Sequence, residues 1–261
     1  MPDVEKTVFI SYRRSHYPFV ALSTFMDLRA HDYDVFIDVE GIDSRPFDPV
    51  VLNQISARAH FLIVLTPGAL DHCADPDDWM CREIEYAIKL QRNIVPILVG
   101  MFAFAGIENL LTGRLVELTR FNGLQWLYPD FDLVLERLRT GFLNQPFYGV
   151  IRPTPTAERA VVRSKLEKAT RRYVGLIAER YFSHGNLLHD LGNDQGAIEN
   201  YSEAIRLNPK HAQTYLSRAL VYEKQGEYQK ALADYDAALH IIPHDMLVKK
   251  WRTEVLKIMK K

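Results

Sequence analysis

Short apolar runs alternate with amphipathic segments through the first half of the chain. The runs are rich in β-branched and aromatic residues, which predicts buried strands, and the segments between them carry apolar residues at helical spacing. The predicted strands span residues 7–12, 33–38, 60–66 and 93–99, and the predicted helices span 19–29, 50–59, 79–90 and 131–143. This alternation predicts an α/β fold in which helices cover a parallel sheet. Pro96 predicts an edge position or an irregularity for the last of these strands.

The second half of the chain lacks strand signals and repeats itself. A segment rich in proline, residues 145–156, predicts a semi-stiff linker. Beyond it, similar residues recur every 34 positions, the period associated with tetratricopeptide (TPR) repeats. The matching pairs are Tyr181 and Tyr215, Gly192 and Gly226, Ala197 and Ala231, Tyr201 and Tyr235, Ala204 and Ala238, and Pro209 and Pro243. We predict repeats at 178–211 and 212–245, preceded by a helix over 157–176 and followed by a capping helix over 246–260.

Two full repeats are fewer than the three that usually make a stable array. The flanking helices or another copy of the chain would have to cover the ends of the stack. No residue in this half suggests catalysis, so we expect it to bind another copy or a protein partner. A plain structural spacer is the alternative.

Length, charge and cysteine content limit the kinds of function that we expect for the chain. The chain has 261 residues, enough for two domains, and a net charge of −1, which gives no reason to expect nucleic-acid binding. It shows neither an apolar signal segment nor an apolar run long enough to span a membrane, so we expect a cytoplasmic protein. Its two cysteines, Cys73 and Cys81, suggest reduced thiols, and neither a disulfide framework nor a metal site is expected.

Several polar residues follow the predicted strands, at the edge of a parallel sheet where ligands gather. Arg13 and Arg14 follow the first strand, Asp38 closes the second, and the loop containing Phe47 would border the same edge. Trp79 and Glu83 open the helix after the third strand, four residues apart and therefore on one helix face. A carboxylate beside an aromatic plane suits a reaction that develops positive charge on a sugar ring.

Each of these residues also has a structural interpretation. Glu83 could be a surface acid near a helix N-terminus, where negative charge is favoured. Trp79 could anchor the core, and the two arginines could form a solvated strand end. Asp38 could cap a loop. Phe47 is hard to explain as a core residue, which favours a stacking role.

The motifs of the first half resemble those of TIR (Toll/interleukin-1 receptor) domains. The resemblance runs over residues 5–143 and rests on motifs that occur in the family's order. These are Val8-Phe9-Ile10-Ser11-Tyr12-Arg13-Arg14, Val35-Phe36-Ile37-Asp38-Val39-Glu40, Phe61-Leu62-Ile63-Val64-Leu65-Thr66-Pro67, Asp78-Trp79 with Glu83-Ile84, and Asn93-Ile94-Val95-Pro96-Ile97. Within the family the chain is similar to animal TIR NAD hydrolases of axon degeneration and to bacterial TIR NADases. We therefore expect a TIR domain over 1–144, a linker over 145–156 and a helical domain over 157–261.

The resemblance implies a flavodoxin-like fold and cleavage of the nicotinamide–ribose bond of NAD+, which is a substrate and not a cofactor. It implies that Glu83, which follows Trp79 in the family's Trp-x-x-x-Glu context, is catalytic and that Arg13 and Phe47 line the substrate pocket. Arg14 and Asp38, from their positions after the strands, and Trp79 are further substrate-binding candidates. The family's aromatic after the 93–97 motif has two candidates here, Phe102 and Phe104. The products would be nicotinamide with ADP-ribose or cyclic ADP-ribose, and the sequence does not choose between them.

The family also implies activation by TIR self-association and a role in innate immunity or cell death. The rival interpretation is a non-catalytic TIR–TPR adaptor that acts by protein–protein interaction. A third is a sensor that binds a nucleotide without cleaving it.

Overall fold

The computed structural model describes residues 4–13, 18–38, 49–75, 77–126 and 131–259. Contacts between Cα atoms divide the chain into two compact units, Met1–Thr170 and Arg171–Lys261. The first unit is an α/β domain and the second is entirely helical, as the sequence predicts. Among the described residues, no helix has both the length and the apolar character needed to cross a membrane.

A five-stranded parallel sheet forms the centre of the first unit. Its strands are β1 (Thr7–Tyr12), β2 (Asp34–Ile37), β3 (His60–Leu65), β4 (Asn93–Val99) and β5 (Leu124–Trp126). Their order is β2-β1-β3-β4-β5, the flavodoxin-like arrangement, and every neighbouring pair is parallel. All six residues of β3 are buried, as expected for a strand with helices on both sides.

Helices connect these strands and cover the sheet. They are α1 (Pro18–Ala30), α2 (Pro49–Ser56), α3 (Trp79–Lys89), α4 (Phe131–Arg137) and the N-terminal part of α5 (Arg159–Asp190). On one face of the sheet, the ring of Phe9 stacks on Phe36 and Phe61 with centroid distances of 5.5 and 5.4 Å. Residues of α2 and α3 join the same apolar core, so this face positions α3 over β1.

The sequence-based prediction for Pro96 is only partly right. β4 lies between β3 and β5 and is not an edge strand. However, β5 pairs only with Ile97–Val99, so the ladder on that side begins one residue after Pro96. Because β5 is this short, β4 can contain Pro96, which has no backbone N–H to donate.

The predicted linker packs against the first unit. The Arg152 amide donates to the Ser56 carbonyl at 3.0 Å, and Thr154 Oγ1 donates to Gln54 Oε1 at 3.3 Å. Nearby, Asn53 Nδ2 donates to Glu158 Oε1 at 2.7 Å. The segment therefore packs on the first unit, which extends to Thr170. Helix α5 also continues through residues 176–178, where the sequence predicts a break.

Antiparallel helices of the second unit repeat with the predicted period. After the C-terminal part of α5 come α6 (Asp194–Leu207), α7 (Ala212–Lys224), α8 (Tyr228–Ile241) and the capping helix α9 (Met246–Ile258). Gly192 and Gly226 adopt φ angles of 77° and 76° at the turns inside the two repeats. At Gly185, a Cβ atom would lie 2.6 Å from the ring of Tyr201, so this close helix contact requires glycine.

Polar contacts repeat with the same period as the helices. His184 Nδ1 lies 3.1 Å from Asn200 Oδ1 in the first repeat, and the equivalent residues in the second are Arg218 and Asp234. Arg218 donates from Nε and Nη2 to both carboxylate oxygens of Asp234, at 2.8 and 2.7 Å. A 34-residue period therefore preserves the position of an interhelical contact while its chemistry changes.

Candidate functional site

Glu83 lies in α3, whose N-terminus faces the carboxyl-terminal edge of the sheet. Only 7% of the residue is exposed. Its Oε2 accepts a hydrogen bond from Ser11 Oγ of β1 at 2.6 Å. Asp78 caps the helix by accepting from the Cys81 amide at 3.0 Å, which fixes where α3 begins. Glu83 is therefore a buried carboxylate held at the edge where parallel sheets bind ligands.

Ser11 is a site residue that the sequence-based search missed. Side chains alternate along a strand, so Ser11 lies on the same face as Phe9, the face that α3 covers. A small polar residue two positions after a buried aromatic, at the end of β1, is the signal that could have found it. One residue beyond the Ile10–Ile37 pair in the register, Ser11 also lies alongside Asp38.

Arg13 connects three parts of this edge. Its Nη1 donates to Asp78 Oδ2 at 2.7 Å and its Nη2 to Asp78 Oδ1 at 3.2 Å. Its Nε donates to the Ala69 carbonyl at 2.8 Å, in the connection between β3 and α3. These three bonds use three of the five N–H donors of a guanidinium. Arg13 thus holds the helix cap in place, and a phosphate contact would use its remaining donors.

Asp38 is buried and paired with a residue that the sequence-based search did not consider. Lys165 Nζ from α5 donates to Asp38 Oδ1 at 3.1 Å, with 7% and 6% of the two side chains exposed. A buried carboxylate needs such a partner, since an isolated buried charge is costly. The ion pair ties the end of β2, beside the candidate site, to the helix that begins at Arg159.

Aromatic side chains pack against the apolar core that α3 joins. Trp79 is half-buried and packs against the apolar core, as do Phe102 and Phe104, whose rings meet edge to face at 5.2 Å. The core-anchor interpretation of Trp79 therefore has direct packing support. The candidates Arg14 and Phe47 lie outside the residues that the structure describes.

The expectation of two reduced thiols is wrong for this structure. Cys73 and Cys81 form a disulfide, with their Cα atoms 5.5 Å apart. The turns after β3 fold back toward the capped first turn of α3, which brings together residues that the sequence places eight apart. With Asp78 they form a cluster of possible metal ligands within 4.8 Å, but the disulfide uses both sulfurs and Asp78 already binds Arg13.

Family models and related proteins agree with this architecture. A TIR domain model matches residues 8–126, a TPR repeat model matches 185–226, and a tetratricopeptide repeat model matches 212–245. The TPR assignment is confirmed: the two repeat models span residues 185–245, which include all of the second predicted repeat and residues 185–211 of the first.

The chain is similar to three proteins named as NAD(+) hydrolases. It is 36% identical over 157 residues to tir-1 of Caenorhabditis elegans, over 58% of this chain and 15% of the relative. It is 35% identical to sarm1 of Drosophila melanogaster and 29% identical to SARM1 of Danio rerio, each over 134 residues and 50% of this chain. These matches span only 10% and 18% of those two relatives. Residues 8–126 of this chain therefore form a TIR domain, which is followed by tetratricopeptide repeats.

Proposed function

We propose that the TIR domain cleaves the nicotinamide–ribose bond of NAD+, with Glu83 as the catalytic residue. The observation that carries the proposal is the buried Glu83 carboxylate, fixed by Ser11 at the carboxyl-terminal edge of the sheet. The similarity to proteins named as NAD(+) hydrolases supports the choice of substrate.

The chemistry requires one carboxylate and no acid. The nicotinamide of NAD+ is cationic while bonded to ribose, so it leaves as a neutral molecule with the electron pair of the C–N bond. The ribose left behind carries oxocarbenium-like positive charge, as in glycoside hydrolysis. Glu83, held by the Ser11 hydroxyl, would stabilise that charge and orient the ribose hydroxyls. No metal or redox cofactor enters this scheme.

The second step decides the product. Attack by water on the ribose carbon gives ADP-ribose and releases one proton. Attack by a nucleophile within the substrate gives a cyclic ADP-ribose instead. Trp79, half-buried beside Glu83 at the start of α3, would form a wall that limits the access of water.

Release of free nicotinamide tests the proposal directly. Glu83→Gln keeps the shape of the side chain but removes its charge, so we expect it to abolish release from NAD+. Glu85→Gln is the matched control, because residue 85 is rotated by about 200° on the same helix. The proposal is wrong if Glu83→Gln turns over NAD+ as the unchanged chain does, or if both variants lose activity equally.

We propose further that self-association of the TIR domains raises this activity and that the TPR unit binds a second copy or a protein partner. The family resemblance and the two-repeat array with its single capping helix support this. Specific activity should then increase with protein concentration. The adaptor alternative instead predicts no nicotinamide release at any concentration, including conditions in which sedimentation shows assembled chains.

A further inference from the structure

A large groove opens in the first unit at the end of the sheet opposite Glu83. Its volume is about 1040 Å³. It is lined by the turn before β4, the start of β4, the residues before β5, residues between 137 and 142, and the segment 145–149. Glu83 instead lies near the carboxyl ends of the strands. The groove is therefore separate from the candidate catalytic site.

Arginines and amides supply the polar lining of the groove. The three arginines are Arg92, Arg120 and Arg137, and Asn122 and Gln145 are among the amides. None of the described residues that line it is an aspartate or a glutamate. None of the three arginines forms an ion pair with a carboxylate within the described ranges. The groove therefore carries an uncompensated positive charge.

Arg92 is the most unusual of the three. It is only 4% exposed, and its Nη2 donates to the Ser56 and Val150 carbonyls at 2.8 and 3.0 Å. Its Nε and Nη1 are buried and have no hydrogen-bond partner among the residues that the structure describes. Burial lowers the pKa of this guanidinium from its ordinary value. Buried charges are normally paired, so a buried guanidinium at this groove, hydrogen-bonded to neutral carbonyls, favours the approach of an anion.

Aromatic rings complete the groove. The guanidinium of Arg92 lies 5.3 Å from the ring centre of Phe147, and that of Arg137 lies 6.0 Å from the ring of Phe142. A Cβ atom on Gly149 would lie 2.3 Å from the Phe147 ring, so glycine is what allows this ring to fold back over Arg92. Phe147 is half-buried, which leaves part of it available for stacking.

We propose that this groove binds a nucleotide through its phosphates. Arg120 and Arg137 are exposed and would contact the phosphate oxygens, since guanidinium groups suit bidentate phosphate contacts. The buried charge of Arg92 would attract the anion through space, and Phe147 or Phe142 would stack on the base. The volume is ample for a nucleoside diphosphate. This site does not depend on NAD+ cleavage by Glu83.

Calorimetric titration of the full chain with ADP tests the site. The double variant Arg120→Glu/Arg137→Glu reverses the charge at two exposed positions, so we expect the Kd for ADP to rise at least tenfold. Arg114→Glu is the control, because Arg114 lies on the same 3-10 helix (Gly113–Arg120) as Arg120 but is not among the residues that line the groove. Its Kd should change less than twofold, and thermal melting should show that both variants are folded.

Three results would overturn the proposal. One is the absence of ADP binding to the unchanged chain. Another is ADP binding that the double variant leaves intact, which would place the nucleotide in the NAD+ pocket. The third is equal affinity for adenosine and ADP, which would remove the role of the phosphates. Nicotinamide release without ADP should be the same in the double variant and the unchanged chain, so failure here is distinguishable from failure of the Glu83 assignment.

Discussion

Ser11 Oγ and Glu83 Oε2 lie 2.6 Å apart, although 72 residues separate them in the sequence. The contact joins the end of the first strand to the second turn of the helix after the third strand. Both residues are almost completely buried. This hydrogen bond is therefore set by the parallel sheet, which places β1 beneath α3.

Replacing Ser11 with alanine should slow NAD+ cleavage without abolishing it. Hydrogen bonds to charged groups contribute about 1.5–3 kcal/mol, so we expect kcat to fall roughly ten- to hundredfold if the bond holds Glu83 for reaction. KM should change much less, since Ser11 acts through Glu83. Steady-state nicotinamide release measures both constants.

Ser23→Ala is the matched control for this prediction. Ser23 is also a buried serine of the first unit, and in the described part of the chain its hydroxyl has no hydrogen-bond partner. Removal of the Ser23 hydroxyl should leave kcat for nicotinamide release unchanged. Equal kcat values for the two variants would show that Ser11 does not position Glu83.

The stability of the chain should fall in mild acid because of His60. This residue is fully buried; its Nε2 contacts the Glu5 carbonyl at 2.7 Å, and its Nδ1 lies 2.8 Å from Asn93 Nδ2. The pattern fits a neutral ring that donates from Nε2 and accepts at Nδ1. Burial lowers the pKa of His60 below its ordinary value of 6.5.

The direction of the pH effect follows from that lowered pKa. As the pH falls below about 6.5, the unfolded chain binds a proton at this position before the folded chain does. The free energy of unfolding should therefore decrease below pH 6.5 and show no His60 contribution above it. His60→Gln, which can also donate and accept, should flatten this dependence in urea denaturation. His72→Gln changes an exposed histidine, so it should leave the pH dependence of stability unchanged.

The Cys73–Cys81 disulfide should stabilise the start of α3. Closing a loop of this length contributes about 2–3 kcal/mol in the chain-entropy model. Dithiothreitol should therefore lower the thermal midpoint of the chain. The Cys73→Ala/Cys81→Ala variant should have this lower thermal midpoint both with and without dithiothreitol. An unchanged midpoint on reduction would mean that the disulfide does not support the folded state.

The fold was more predictable from sequence than the contacts within the site. Period-two and period-3.6 patterns located the strands and helices, because each pattern reflects local burial. Trp79 and Glu83 could also be placed on one helix face, because they lie four residues apart in a predicted helix. The Ser11–Glu83 bond, the Arg13–Asp78 pair and the Asp38–Lys165 pair could not, because each joins residues more than 60 positions apart.

Tertiary structure supplies two sets of contacts that local patterns do not predict. The sequence cannot reveal that the β3–α3 turns bring Cys73 against Cys81. Proline in residues 145–156 predicts a semi-stiff linker, and it does not reveal that carbonyls and side chains of α2 bind that segment to the first unit. In both cases the decisive partner lies on another element.

Arg218 should be the main polar support of the TPR unit. Besides its two bonds to Asp234 of α8, its Nη1 donates to Ser202 Oγ of α6 at 2.8 Å, so it joins three helices. Hydrogen bonding to Asp234 raises the pKa of Arg218, so the group stays charged. Lysine keeps the charge but cannot reproduce the bidentate fork.

We therefore expect Arg218→Lys to lower the free energy of unfolding of this unit by about 2–3 kcal/mol, since partly buried, charge-assisted hydrogen bonds are lost. Arg252→Lys is the control: Arg252 lies 34 residues later and pairs with Asp236 at a more exposed position. Arg252→Lys should lower the free energy of unfolding by no more than about 1 kcal/mol. Amide hydrogen exchange, measured by mass spectrometry across α7 and α8, reports the stability of this unit independently of the TIR domain. Equal protection of these amides in the two variants would show that the Arg218 contacts add no more stability than an exposed ion pair.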